Sequence, residues 1–144
     1  MTQELYALSN ERTATLASRF LNTFGAELLP FAEDFPVPEF SVNPAHVFRR
    51  VEDLISFLEL NRSEPYGLYW NVGASEGEIA QAMLFYTTDG GLILGLAVTP
   101  ESAPLHLRRL MTFAGTDDAM YGDEQRPPET SGEFVAKCRK GTGH

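Results

Sequence analysis

From Ser9 to Leu29, apolar residues return as Leu16, Ala17, Phe20, Leu21, Phe24 and Leu28, one stripe of a 3.6-residue period. That spacing predicts an amphipathic helix ending near Pro30. The following stretch carries Pro36 and Pro38 among Phe31, Phe35 and Phe40. Proline removes an amide donor and pushes its predecessor out of helical geometry, so residues 30–45 read as a Pro-rich extended connection anchored by its Phe side chains. Asn43-Pro44 then offers an N-cap and a first-turn residue, and Val47, Phe48, Val51, Leu54, Ile55 and Leu58 repeat at helical spacing. Two starts fit this second helix, one at Asn43 and one near Glu52 with 41–48 extended.

Beyond Asn61 the pattern changes to that of strands: Tyr66 to Val72, Ile79 to Thr88 and Gly91 to Val98. The last two flank Asp89-Gly90, a dipeptide that favours tight two-residue hairpins. If those two residues are the whole loop, Thr88 pairs with Gly91, Phe85 with Leu94 and Met83 with Leu96. One face then carries Met83, Phe85, Leu92, Leu94, Leu96 and Val98 as core. The other carries Ala82, Leu84, Tyr86, Ile93, Gly95 and Ala97, also apolar, which calls for a covering helix or a partner. Thr99-Pro100-Glu101 opens a third helix, with Leu107, Leu110, Met111 and Ala114 on one stripe and Gly115 as its stop. A short edge strand near Ala119–Tyr121 leads to Arg126-Pro127-Pro128 and a last short helix, capped by Thr130 or Ser131, that contains Phe134, Val135 and Cys138. The order is α-α-β-β-β-α-(β)-α. It describes an α+β fold with an antiparallel three- to four-stranded sheet packed with helices.

Length and composition suit one domain over residues 1–144, with 139–144 as a flexible tail: 144 residues, 43% hydrophobic, can bury a core without disulfide or metal. Cys138 is the only cysteine, which points to a reducing compartment. Lys137 and Arg139 beside it favour a thiolate, but its helical spacing from Phe134 reads as packing. The start Met1-Thr2-Gln3-Glu4 lacks the basic and apolar runs of a secretion signal, and no stretch approaches a membrane span, so a cytoplasmic location is expected.

Charge narrows the classes of partner. There are 20 acidic against 11 basic side chains, and all the acids lie in the first 136 residues, with only eight arginines to oppose them. No basic residue falls between Arg62 and Arg108. A second acidic stretch, Asp117, Asp118, Asp123, Glu124, Glu129 and Glu133, is relieved only by Arg126. Such a field repels nucleic acid and anionic membrane and steers basic proteins inward, although plain solubility accounts for it equally simply. Arg108-Arg109, beside acidic loops, is expected to form intramolecular ion pairs.

Catalytic chemistry has little foothold. His46, His106, His144 and Cys138 are scattered, so no metal set is expected, and no cofactor. Neither a nucleophile elbow, a phosphate loop nor a dinucleotide fingerprint occurs. The acid pairs Glu76/Glu78, Asp117/Asp118 and Asp123/Glu124 sit in predicted loops, where solvated carboxylates are the ordinary case. Tyr66 and Trp70 read as core, Tyr69 and Tyr121 as exposed; Tyr and Trp beside carboxylates are typical of protein interfaces.

Three stretches, Tyr66-Gly67-Leu68-Tyr69-Trp70-Asn71, Ala82 through Leu96, and Gly122-Asp123-Glu124-Gln125-Arg126-Pro127-Pro128 before Phe134, resemble the small cytosolic immunity proteins that bacteria encode beside polymorphic or contact-delivered, type VI-like toxins. The resemblance spans residues 46 to 138 and implies a class: a non-catalytic protein inhibitor that occludes the active site of one cognate toxin, one-to-one. A basic cleft would attract an acidic binder. On that reading the contacts are Tyr69, Glu76, Glu78, Asp89, Asp117, Asp118, Tyr121, Asp123 and Glu124. Two other readings stand beside it: a small-ligand-binding protein or enzyme with a pocket between the sheet and the first helix, and a subunit of a larger assembly.

Overall fold

A computed structural model describes residues 2–25, 28–30, 33–72 and 77–142, with the side chains of 28–30 and 141–142 left aside. The chain runs β1 (Gln3–Ser9), α1 (Ala14–Phe24), β2 (Leu28–Pro30), β3 (Phe35–Val37), β4 (His46–Phe48), α2 (Val51–Leu60), β5 (Tyr66–Val72), β6 (Ile79–Tyr86), β7 (Leu92–Val98), a 3-10 turn, α3 (Ala103–Ala114), β8 (Ala119–Tyr121) and α4 (Ser131–Thr142). The expected α+β class holds, but the sheet is larger. Six antiparallel strands stand in the order β2-β5-β6-β7-β1-β8, and β3 and β4 form a separate two-stranded sheet.

The added strand with the greatest consequence is β1, which lies between β7 and β8 in a region the apolar pattern left unassigned. Leu5 and Ala7 face one core and Tyr6 the other. With both faces buried, the strand shows none of the apolar-polar alternation that marks a half-buried one. The first helix is correspondingly shorter than the 9–29 stripe. Thr13 caps it by accepting from Leu16 N–H at 3.1 Å, and Glu59 of α2 accepts from Ala14 N–H. The later of the two starts for the second helix is the one adopted, since His46–Phe48 is a strand.

The hairpin register differs from expectation by one residue. Tyr86 pairs with Leu92 and Phe85 with Ile93, across a loop whose Thr87 N–H donates to Gly91 O. Gly90 supplies the positive φ of 87° that this three-residue loop requires. A one-residue shift exchanges the faces of one strand. Ala82, Leu84 and Tyr86 therefore join Leu92, Leu94, Leu96 and Val98 in the larger core beneath α1, α2 and α3, while Met83 and Phe85 lie with Ile93 and Ala97 beneath α4. Phe134 and Cys138 of α4 cover this second face. Burial, reinforced by Asp118, pushes the Cys138 thiol up to about 11, so it packs as a neutral side chain. Residues 139–142 continue the helix.

Arg12, in the β1–α1 connection, is 2% exposed. It donates to five backbone carbonyls, those of Leu58, Thr87, Gly91, Asn61 and Glu64, at 2.7–3.1 Å. Carbonyls at the end of α2 lack intrahelical donors, and a buried guanidinium supplies them. The contact ties α2 and the β6–β7 turn to the start of α1.

Candidate functional site

The prolines of residues 35–40 keep this segment extended, and it forms the β3–β4 hairpin, from which Glu39 reaches the start of β5 at Gly67. Phe35 and Val37 enter the core, whereas Phe40, at φ 67° and 79% exposed, is held outward. A bulky side chain in the left-handed region costs energy that neighbouring contacts must offset. Here those contacts come from Arg126. The segment after β8 crosses the α4 side of the sheet, where Tyr6 OH donates to Gln125 O at 3.2 Å, and delivers Arg126 above β5.

Arg126 donates from Nη1 and Nη2 to the two oxygens of Glu39 at 3.0 and 2.9 Å, and from Nε to Tyr69 OH at 2.8 Å. Its guanidinium lies 5.1 Å from the Phe40 ring and 5.7 Å from that of Phe85. The bond to Glu39, despite burial, raises its pKa further, so it is permanently charged. Glu39 also accepts from Gly67 N–H at 3.0 Å. A Cβ at Gly67 would lie 2.7 Å from the guanidinium carbon, so a larger residue there would displace the Arg126 side chain.

The Glu39–Arg126 pair and Phe40 form a wall between two hollows. One, about 250 Å3, extends toward Phe35. The larger, about 330 Å3, is lined by Tyr66, Pro65, Pro127 and Pro128, with Glu64 and Glu129 also on its lining. Burial, then Glu39, pushes the Tyr66 hydroxyl up to about 12, so it stays neutral. Since Arg126 is neutralised by Glu39, the remaining charge of the groove is that of Glu64 and Glu129. An apolar slot with two surplus carboxylates suits the methylene stem and cationic head of a Lys or Arg side chain. Phe40, 79% exposed, stands on its rim, and Val42 and Val47 of the same segment are also exposed.

The residues anticipated as contacts are distributed differently. Tyr69 is half-buried and joins this groove through Arg126. Asp89 caps α4 instead of standing free: its carboxylate accepts from Ser131 N–H at 2.8 and 2.9 Å, from Gly132 N–H and from the Thr87 hydroxyl. Although burial opposes ionisation, these bonds hold its carboxyl at about 2. Glu78 lies at the opposite end of β6 from Asp89, about 30 Å away at ~3.3 Å per residue, and bonds His106 Nε2 at 2.9 Å. Glu76 is outside the described residues. Asp117, Asp118, Tyr121, Asp123 and Glu124 do gather around the β8 edge, with Tyr121 46% exposed. Two of the acids meet α4: Asp118 lies 3.6 Å from Arg139 and Asp123 3.6 Å from Lys137. The three acidic segments thus do not share one end of the sheet.

Glu39, Phe40, Glu64, Tyr66, Arg126 and Glu129 were not among the anticipated contacts. Two signals pointed at them: Gly67 interrupting a strand of large residues, and Arg126 as the one base inside an acidic stretch. Among the described residues no cluster of His, Cys, Asp or Glu suits a metal ion, and no helix is long and apolar enough to cross a membrane. No protein-family model, curated protein or solved structure matches the chain.

Proposed function

We propose that this protein is a non-catalytic, acidic binding protein whose partner is a basic protein, held one-to-one with a Lys or Arg side chain in the groove between Phe40, Tyr66 and Pro127. The observation that carries this reading is the groove itself: an apolar slot whose one cation among the described residues, Arg126, is already neutralised by Glu39, bordered by Glu64 and Glu129 and by the exposed Phe40. Apolar anchors with a few desolvated carboxylates supply affinity, and the net charge of −9 supplies fast, salt-sensitive association. The sequence resemblance gives the partner a class, a bacterial toxin with a basic active-site cleft, and makes this chain its cytoplasmic immunity protein.

The test is copurification of the tagged chain with proteins of its native cell at low and moderate salt, followed by an activity assay of any one-to-one partner. A basic protein that is released by salt, loses its activity when bound and loses affinity for a Glu64→Lys/Glu129→Lys variant supports the reading. A partner of equal affinity for that variant, or retention of no protein at either salt, overturns it.

A further inference from the structure

Helices α1 and α3 lie on the other side of the sheet from Arg126, and neither contains an aspartate or glutamate. In a chain of net charge −9 they carry three exposed arginines, Arg19, Arg108 and Arg109. Intramolecular ion pairs were expected for Arg108-Arg109, but among the described residues none joins Arg19, Arg108 or Arg109 to a carboxylate. Two of these guanidinium groups lie instead on aromatic rings. Arg19 lies 5.5 Å from the Phe113 ring centre and Arg109 5.0 Å from that of Phe24, and the two rings meet edge to face at 5.7 Å. A guanidinium stacked on a ring keeps its N–H edge available to an acceptor.

Arg109 is also held from behind. Its Nη1 lies 2.9 Å from Nδ1 of the buried His106, whose Nε2 lies 2.9 Å from Glu78 Oε1. Arginine only donates, so Nδ1 accepts and the proton resides on Nε2, which donates to Glu78. The Glu78–His106–Arg109 chain orients the guanidinium much as outer partners orient a metal-ligating histidine.

We infer that the groove between α1 and α3, about 400 Å3 and lined by Thr23, Phe24, Leu105, Arg108, Arg109 and Thr112, binds a small ligand bearing an oxyanion, a phosphate or a carboxylate. Planar guanidinium forks match such groups. Arg108 and Arg109 meet the anion, the two threonine hydroxyls add donors, and Leu105, 49% exposed, and Phe24 receive an apolar portion of the ligand. Arg108 also borders a hollow shared with Asp117, which bounds the site on that side. Glu78 and His106 are positioning residues. The site is independent of the partner groove, and its failure leaves that reading intact.

The experiment is an amide-resonance NMR titration of the full chain with inorganic phosphate and, separately, with citrate, ionic strength being held constant with sodium chloride. Saturable shifts confined to Thr23 and to residues 105–112 are expected from at least one anion. The anion that saturates at lower concentration distinguishes a phosphate from a carboxylate ligand. Arg108→Ala, at an exposed position, should weaken binding roughly tenfold, the loss of one charge-assisted contact. Glu78→Ala should weaken it less, and Glu78→Gln, which still accepts from His106, should restore it. Equal shifts from chloride alone, no saturation by either anion, or undiminished binding in Arg108→Ala would each overturn the proposal.

Discussion

Arg12 and Arg126 both set a guanidinium near a tyrosine ring, 5.1 Å from Tyr86 and 5.4 Å from Tyr69, and both bridge segments distant in sequence. Their acceptors differ. Arg12 is closed in by five backbone carbonyls and nothing from outside can reach it. Arg126 is bound by one carboxylate and one hydroxyl, stands half-exposed, and forms part of the wall of a groove. Carbonyl acceptors belong to the fold and have no alternative partners once buried. A side-chain ion pair at a surface can hold a shape while leaving adjacent groups free to bind. The same residue type therefore acts as an internal tie at one site and as the support of a recognition surface at the other.

Removal of Arg12 should have the largest effect. Arg12→Met strands buried carbonyls of α2 and of the β6–β7 turn, and a loss of about 3–5 kcal/mol in urea unfolding is expected, comparable to breaking a buried charged contact. A loss below about 1 kcal/mol would mean that water replaces those bonds and that the tie is incidental.

Arg126→Ala should cost about 1–2 kcal/mol, because its bonds are partly solvated. Gly67→Ala should act like it by displacing the guanidinium, and the double variant should lose little more than either alone. Additive losses in a double-mutant cycle would show that Gly67 does not act through Arg126.

Asp89→Ala, which uncaps α4, should cost about 1 kcal/mol near neutral pH. The Asp89 carboxyl is lowered to about 2 from its ordinary 3.8. Its stabilisation is thus complete above the higher value and lost as pH falls from about 4 toward 2. The unfolding midpoint of Asp89→Asn, which can still cap but does not titrate, should fall less than that of the parent chain over this window. Parallel curves for the two proteins would deny Asp89 that role.

Glu64→Lys with Glu129→Lys should change stability least, within about 0.5 kcal/mol, as expected of surface substitutions. The same change should abolish salt-sensitive capture of a basic partner. That separation of stability from binding is the sharpest contrast with Arg12.

The α+β class, the amphipathic core of α1, the stop of α3 at Gly115 and the β5, β6 and β7 strands were all legible in the chain, because apolar period and cap chemistry are local properties. β1 was not, since its short apolar run Leu5–Leu8 has no alternation and, unlike the equally buried β7, no turn dipeptide beside it marks a hairpin. The hairpin faces were misassigned because Asp89-Gly90 fits loops of two and of three residues, and the choice between them rests on Thr87 bonding Gly91 and on Asp89 bonding the start of α4. The acidic character of the surface was plain in the sequence, and so was the exposure of Tyr121. What only the tertiary structure decided is which charges are left over. Asp89 is consumed by a helix end and Glu39 by Arg126, while Glu64 and Glu129 border a groove and Arg108 stands without a carboxylate partner among the described residues. Pairing depends on approach in space between residues up to 87 positions apart, and a linear pattern of charges carries no information about that distance.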